Sequence, residues 1–183
     1  KTIGFDVQEE KVNLVNEGHN YIGDVVDSDL KKLVEAEMLS ATTDFSFVKD
    51  VDFIAICVPT PLDKHQQPDI SYVKNSTIEI AKYMTKGTMV VLESTTYPGT
   101  TEELIKPLLE EGSGLKCGED FYLGFSPERV DPGNKQLAKM LQKRFLLCIV
   151  QFLKAMCMKF LLRQLLRWRR SWKILIVTSI LVW

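Results

Sequence analysis

The stretch "VDFIAICVP", residues 51–59, decides the fold. After Asp52 it is apolar without a break, whereas a strand with one wet face alternates apolar and polar residues. Residues 51–59 therefore predict a central parallel strand buried on both faces. "GTMVVLES" (87–94) has the same character and predicts its neighbour. Further strands are expected over "KTIGFDV" (1–7), "LSATTD" (39–44) and "FYLGFSPE" (121–128). Helical patterns alternate with them: "EEKVNLVNEG" (9–18) stopping at Gly18, and "SDLKKLVEAEML" (28–39) capped by Ser28 or Asp27. "ISYVKNSTIEIAKYM" (70–84) is capped by Asp69. Thr100 and Glu103 form a capping box for "TTEELIKPLLEEG" (100–112), which Pro107 makes irregular. This β-α-β alternation predicts a doubly wound α/β sheet, with ligands at the carboxyl ends of the strands.

The length suits one domain with a substantial core. The net charge of −1 conceals two unlike regions. Residues 1–136 carry 13 Lys and Arg against 24 Asp and Glu; residues 137–183 carry 10 basic groups and no acidic one. An acidic body without a basic, aromatic-rich stripe argues against nucleic acid as a partner. The four cysteines (Cys57, Cys117, Cys148, Cys157) form no CxxC pair and no disulfide-like spacing, which points to a reducing compartment. Cys57 is read as core packing inside the central strand, and Cys117 as a loop thiol without a paired base. His19 and His65 have no metal-ligand spacing around them, so no metal site is expected.

Polar residues gather at the predicted carboxyl ends. Asp6 ends the first strand, where an acid can accept hydrogen bonds from a cofactor ribose. Lys11 lies one helical turn further on, and alone would be a surface lysine. "VPTP" and "ESTTYPGTT" put the hydroxyls of Thr60 and Thr95 at the same sheet edge, and "FSPERVDPGN" adds Glu128, Arg129 and Asp131. A single charged loop is usually only solvated. Three polar loops at consecutive strand ends form a pattern.

Together "GFDVQEEKV" (4–12), "YIGD" (21–24), "ICVPTPLDKHQQPDISYV" (56–73), "LESTTYPGTTEE" (92–103) and "FSPERVDPGN" (125–134) resemble the UDP-glucose/GDP-mannose dehydrogenase family. They look closest to its UDP-N-acetylhexosamine 6-dehydrogenase branch. The resemblance runs in order over residues 1–136. It implies oxidation of a sugar C6 alcohol to a carboxylate with two NAD+, through a cysteine thiohemiacetal, in polysaccharide synthesis. It further implies that Asp6 and Lys11 hold the adenosine ribose, that Thr60 and Thr95 line the nicotinamide side, and that Thr95 positions a catalytic water. Glu128 would bind NAD or serve as base in thioester hydrolysis. Arg129 would meet substrate phosphate or hydroxyls, and the whole enzyme would be a homodimer.

The family's first strand and its GxGxxG turn, the pyrophosphate cradle, find no match within residues 1–136. The expectation is therefore an incomplete Rossmann-type sheet in which residues 1–136 are a partial NAD-binding domain. "GSG" at 112–114 follows a helix and reads as a linker. With the middle strand absent, residues 2–7 and 53–58 should flank an open slot of roughly 10 Å. Direct pairing of the two, or filling by "KILIVTSILV" (173–182), are the alternatives. Residues 137–183 are expected to be helical or irregular. The uncharged run Ile174–Trp183 is too short for a membrane span of about 20 residues. The Arg/Trp content suits a membrane-surface helix in a non-catalytic module. The favoured reading is an out-of-frame translation: one base over, residues 163–183 permit a sequence ending in ENTYRNINIGL, which resembles the helix after the family's NAD domain.

Overall fold

The computed structural model describes residues 1–21, 26–64, 66–126 and, as backbone, 174–177. The four residues of β3 (Phe53–Ile56) and of β4 (Met89–Leu92) are all buried, as continuously apolar strands must be. Around them run β1 (Thr2–Phe5), β2 (Leu39–Thr42), β5 (Tyr122–Phe125) and β6 (Ile174–Val177). The sheet order is β2-β1-β6-β3-β4-β5, and every pair is parallel.

This is the doubly wound order 3-2-1-4-5-6, with β6 in the place of the first strand. The open slot expected between residues 2–7 and 53–58 does not exist. Thr2 pairs with Ile174 on one side, and Ile174 pairs with Phe53 on the other. The physical reason is that a gap of roughly 10 Å is two strand spacings of about 4.8 Å, the width one strand fills. Leaving it empty strands backbone donors and acceptors on both rims. "ILIV" is a β-branched apolar run suited to a position buried on both faces. The expectation of a helical or irregular tail thus fails at 174–177.

The helices are α1 (Glu9–Asn16), α2 (Asp27–Glu35), α3 (Ser71–Tyr83) and α4 (Lys106–Ser113). Gly18, at φ 77°, turns the chain out of α1, in a left-handed conformation that costs other residues more. The capping expectations divide. Ile70, not Asp69, takes the cap position of α3, although the Asp69 carboxylate just before it accepts from the Ser71 amide at 2.9 Å. Val26 takes the cap position of α2, so neither Ser28 nor Asp27 does; the Asp27 carboxylate accepts from the Asn20 amide instead. The Thr100–Glu103 capping box does not form. Thr100 already has helical φ and ψ, and its hydroxyl is engaged by Tyr97 O and Thr96 Oγ1. The Pro107 irregularity is present as a π-turn over Thr101–Ile105 leading into α4. A 3₁₀ turn over Phe45–Asp50, capped by Asp44, lies where no element was expected.

The core joins the sheet to α3 and α4 through Phe5, Ile54, Ile56, Ile80, Leu92 and Leu109. Gly112 lets α4 approach α3: a Cβ there would stand 2.6 Å from Ala81 Cβ. Gly114, left-handed at φ 70°, ends α4, so "GSG" is a helix terminus and not a phosphate turn. The chain divides into one compact unit of Lys1–Pro127 with Trp172–Trp183, and another of Glu128–Ser171 that lies outside the described residues. Among the described residues no helix is long and apolar enough to cross a membrane.

Candidate cofactor site

Asp6 follows β1 directly and is buried, with 4% of its surface exposed. Its amide continues the β1–β2 pairing to Thr42 O, and its Oδ1 accepts from the Gln8 amide at 2.6 Å. This short turn fixes the carboxylate at the carboxyl edge of the sheet, one residue past the Phe5–Val177 pair. Lys11 lies in α1 and carries its ammonium 5.9 Å from the centroid of the Tyr21 ring, within cation–π range. Burial, and then the negative charge of Asp6, push the Tyr21 phenol up to about 12. Asp6, Lys11 and Tyr21 line one concave pocket together with Gly4, Val15 and Ala41. A carboxylate that accepts beside an ammonium that donates is the donor set a ribose diol requires.

The second group stands at the ends of β3 and β4. Thr60 is half-buried in the loop after β3, and Thr95 is exposed after β4. Ser94, between β4 and Thr95, accepts from Val58 N and donates to Val58 O, each at 2.8 Å. On the preceding residue pair the Cys57 thiol donates to Glu93 Oε2 at 3.1 Å. Cys57 is therefore not core packing within the strand: β3 ends at Ile56 and the thiol is half-buried at the loop. Cys117 lies away from both groups, and burial pushes its thiol above its ordinary value. Among the described residues no cluster of His, Cys, Asp or Glu can hold a metal.

The structure thus brings Asp6 and Lys11 together on one side of β6, and Thr60 and Thr95 to neighbouring strand ends on the other. Glu128 and Arg129 lie outside the described residues, as does His65. His19 is exposed, with Nδ1 3.8 Å from Asp27 Oδ2. Sequence reasoning missed Tyr21 and Ser94. "YIGD" contributed only to the resemblance, and the small hydroxyl closing the apolar run of β4 was the one signal for Ser94.

An NAD cofactor fits this arrangement at its ribose end. The buried Asp6 carboxylate and Lys11 supply the right donors and acceptors, and a buried carboxylate disfavours a 2′-phosphate. The pyrophosphate end has no glycine-rich strand-to-helix turn among the described residues, and residues 178–183 after β6 contain no glycine.

Residues 1–164 match the model of the UDP-glucose/GDP-mannose dehydrogenase family, NAD binding domain. Protein CapL of Staphylococcus aureus is 42% identical over 135 residues, 74% of this chain and 31% of that protein. UDP-N-acetyl-D-glucosamine 6-dehydrogenase of Pseudomonas aeruginosa is 39% identical over 134 residues, 73% of this chain and 31% of its own length. The crystal structure of a ternary complex of GDP-mannose dehydrogenase from Pseudomonas aeruginosa superposes with a TM-score of 0.68 at 27% identity, covering 96% of this chain and 40% of that one. UDP-D-ManNAc dehydrogenase from Pyrococcus horikoshii gives 0.64 at 36% identity, covering 72% and 31%. The fold and site define a Rossmann-type NAD-binding domain. The chain belongs to the UDP-glucose/GDP-mannose dehydrogenase family, and it spans about 31% of the length of the curated relatives it matches.

Proposed function

We propose that this chain is the cofactor-binding part of an NAD-dependent nucleotide-sugar 6-dehydrogenase. Its substrate would be a UDP-N-acetylhexosamine, whose C6 alcohol is oxidised to a uronic acid for polysaccharide synthesis. The observation that carries this reading is the buried Asp6 carboxylate, beside Lys11, at the carboxyl end of the strand next to the sheet centre. NAD+ supplies the hydride acceptor when bound. Asp6 accepts from the ribose hydroxyls and Lys11 donates to them. Thr60 and Thr95 border the nicotinamide side, and Thr95 orients a water. Glu128 contacts the cofactor or takes the proton of that water, and Arg129 meets the substrate. The enzyme as a whole works in the cytoplasm as a homodimer.

The chain alone is inactive on this reading. Burial raises the Cys117 thiol above its ordinary value, away from the nucleotide-side loops, and the described residues offer no cradle of amides for the pyrophosphate. NAD+ then binds with a Kd no better than millimolar. A ligand present at its Kd stabilises by only about 0.4 kcal/mol, so the thermal shift at about 1 mM NAD+ is small. Titration of NAD+ followed by ligand-observed NMR tests this, with Asp6→Asn weakening contact at the adenosine end. Micromolar affinity would contradict the missing cradle. Absence of binding at every concentration, with Asp6→Asn indistinguishable from the parent, would remove the functional reading.

A further inference from the structure

We propose that Ser94 is a positioning residue that sets the spacing of the Thr60 and Thr95 loops, and through them the nicotinamide end of the cofactor. The inference rests on the cofactor reading above. The backbone ladder between β3 and β4 makes its last link beyond the strands where the Glu93 amide donates to Ile56 O at 2.9 Å. Past that point two loops diverge, yet Val58 is buried at 4% exposure and its amide and carbonyl both need partners. One hydroxyl supplies both: Ser94 Oγ accepts from Val58 N at 2.8 Å and donates to Val58 O at 2.8 Å. Ser94 itself is only 6% exposed.

The location gives this bond its consequence. Thr95 is the residue after Ser94, and Thr60 is two residues after Val58. Pro59 restricts Val58 to extended conformations and has one fixed torsion of its own, so displacement of Val58 carries directly to Thr60. On the Thr95 side, a Thr96 Oγ1–Thr100 Oγ1 contact of 2.7 Å ties the following loop to the start of the π-turn. The two loops are joined just past the strands by two side-chain links, the Cys57 thiol to Glu93 Oε2 and the Ser94 hydroxyl to Val58, of which Ser94 alone holds both backbone groups of the residue leading to Thr60. The pocket of Asp6, Lys11 and Tyr21 lies on the far side of β6 and shares no residue with this clamp. Loss of the clamp should disturb one end of the cofactor and spare the other.

Saturation-transfer NMR with millimolar NAD+ reads the two ends separately, through nicotinamide-ring and adenine protons. Amide exchange at Val58 reads the clamp without any ligand. Ser94→Ala is expected to lose transfer to the nicotinamide protons relative to adenine, and to speed exchange at Val58 about tenfold, the scale of one buried hydrogen bond. Ser94→Thr keeps the hydroxyl and restores both. If Ser94→Ala does not fold, Ser94→Cys, which preserves volume and weakens the acceptor, carries the same expectations. An unchanged nicotinamide-to-adenine ratio in Ser94→Ala, or equal loss at both ends, overturns the proposal while leaving the cofactor reading intact. A parent chain that transfers to neither end overturns both, and one that transfers to adenine alone overturns this proposal only.

Discussion

The Tyr21 phenol keeps its proton well beyond the ordinary tyrosine range, because burial and the Asp6 charge both oppose the phenolate. In the unfolded chain the phenol ionises near 10, and in the folded chain at about 12. Its contribution to stability is thus complete below pH 10 and is lost as pH rises toward 12. Melting temperature should fall across that interval, and Tyr21→Phe should flatten the fall; an unchanged slope would disprove the assignment. At the acid end the sign reverses. The amides of Ser46, Ser71 and Lys116 hold Asp44, Asp69 and Asp120 below the usual carboxylate range. That stability is present above the ordinary carboxylate pKa and lost as pH falls through the lowered values. Asp69→Asn should therefore weaken the acid dependence of unfolding, read as melting temperature against pH. The place of Asp6 was legible in the sequence because it follows an apolar strand, and the bond of Asp69 because its partner is two residues away. Ser94 was not, because its partner Val58 is remote in sequence. The Thr100–Glu103 spacing matched a capping box, but the local dihedrals had already committed Thr100 to the helix.

Elements with a one-dimensional signature were equally legible. β3 and β4 are continuous apolar runs, and α3 follows an Asp two residues before its first helical residue. The 3₁₀ turn over Phe45–Asp50 was not, since its pattern is too short to carry a period. The approach of α3 to α4 hangs on Gly112, where any Cβ collides with Ala81. Gly112→Val should lower stability by about 1–3 kcal/mol, the usual cost of overpacking. Ala81→Gly in the same chain should recover part of it, a coupling measurable by denaturant titration of the double-mutant cycle. β6 was only an unfavoured alternative, for another reason: nothing in "ILIV" says which rim it meets, and both its partners lie far away in the chain. Proline has no amide to donate, and a central strand uses its amides on one side or the other. Ile176→Pro should abolish the cooperative thermal transition, whereas retention of a native-like melt would show β6 to be dispensable.

At the scale of the molecule, the acidic region of residues 1–136 and the basic remainder meet in one sheet, because β6 belongs to the basic part. The family model runs to residue 164, while the alignments to CapL and to the Pseudomonas aeruginosa 6-dehydrogenase span 135 and 134 residues. We propose that the basic region is read out of frame. DNA beyond codon 136, read one base over, should then continue the family sequence; stops or unrelated residues in that frame would end the idea. Whatever its origin, this region carries the strand on which the sheet centre depends. Thr2 finds its partner Ile174 only near the far end of the chain. During synthesis on a ribosome, β1 to β5 emerge first, with the rims of β1 and β3 bare. Long-range pairing of this kind slows folding and prolongs exposure of strand edges that other chains can capture. Of the six described strands the middle one comes last in the sequence, so pairing of β1 and β3 must wait for it while chaperones and nascent neighbours compete for the same seam.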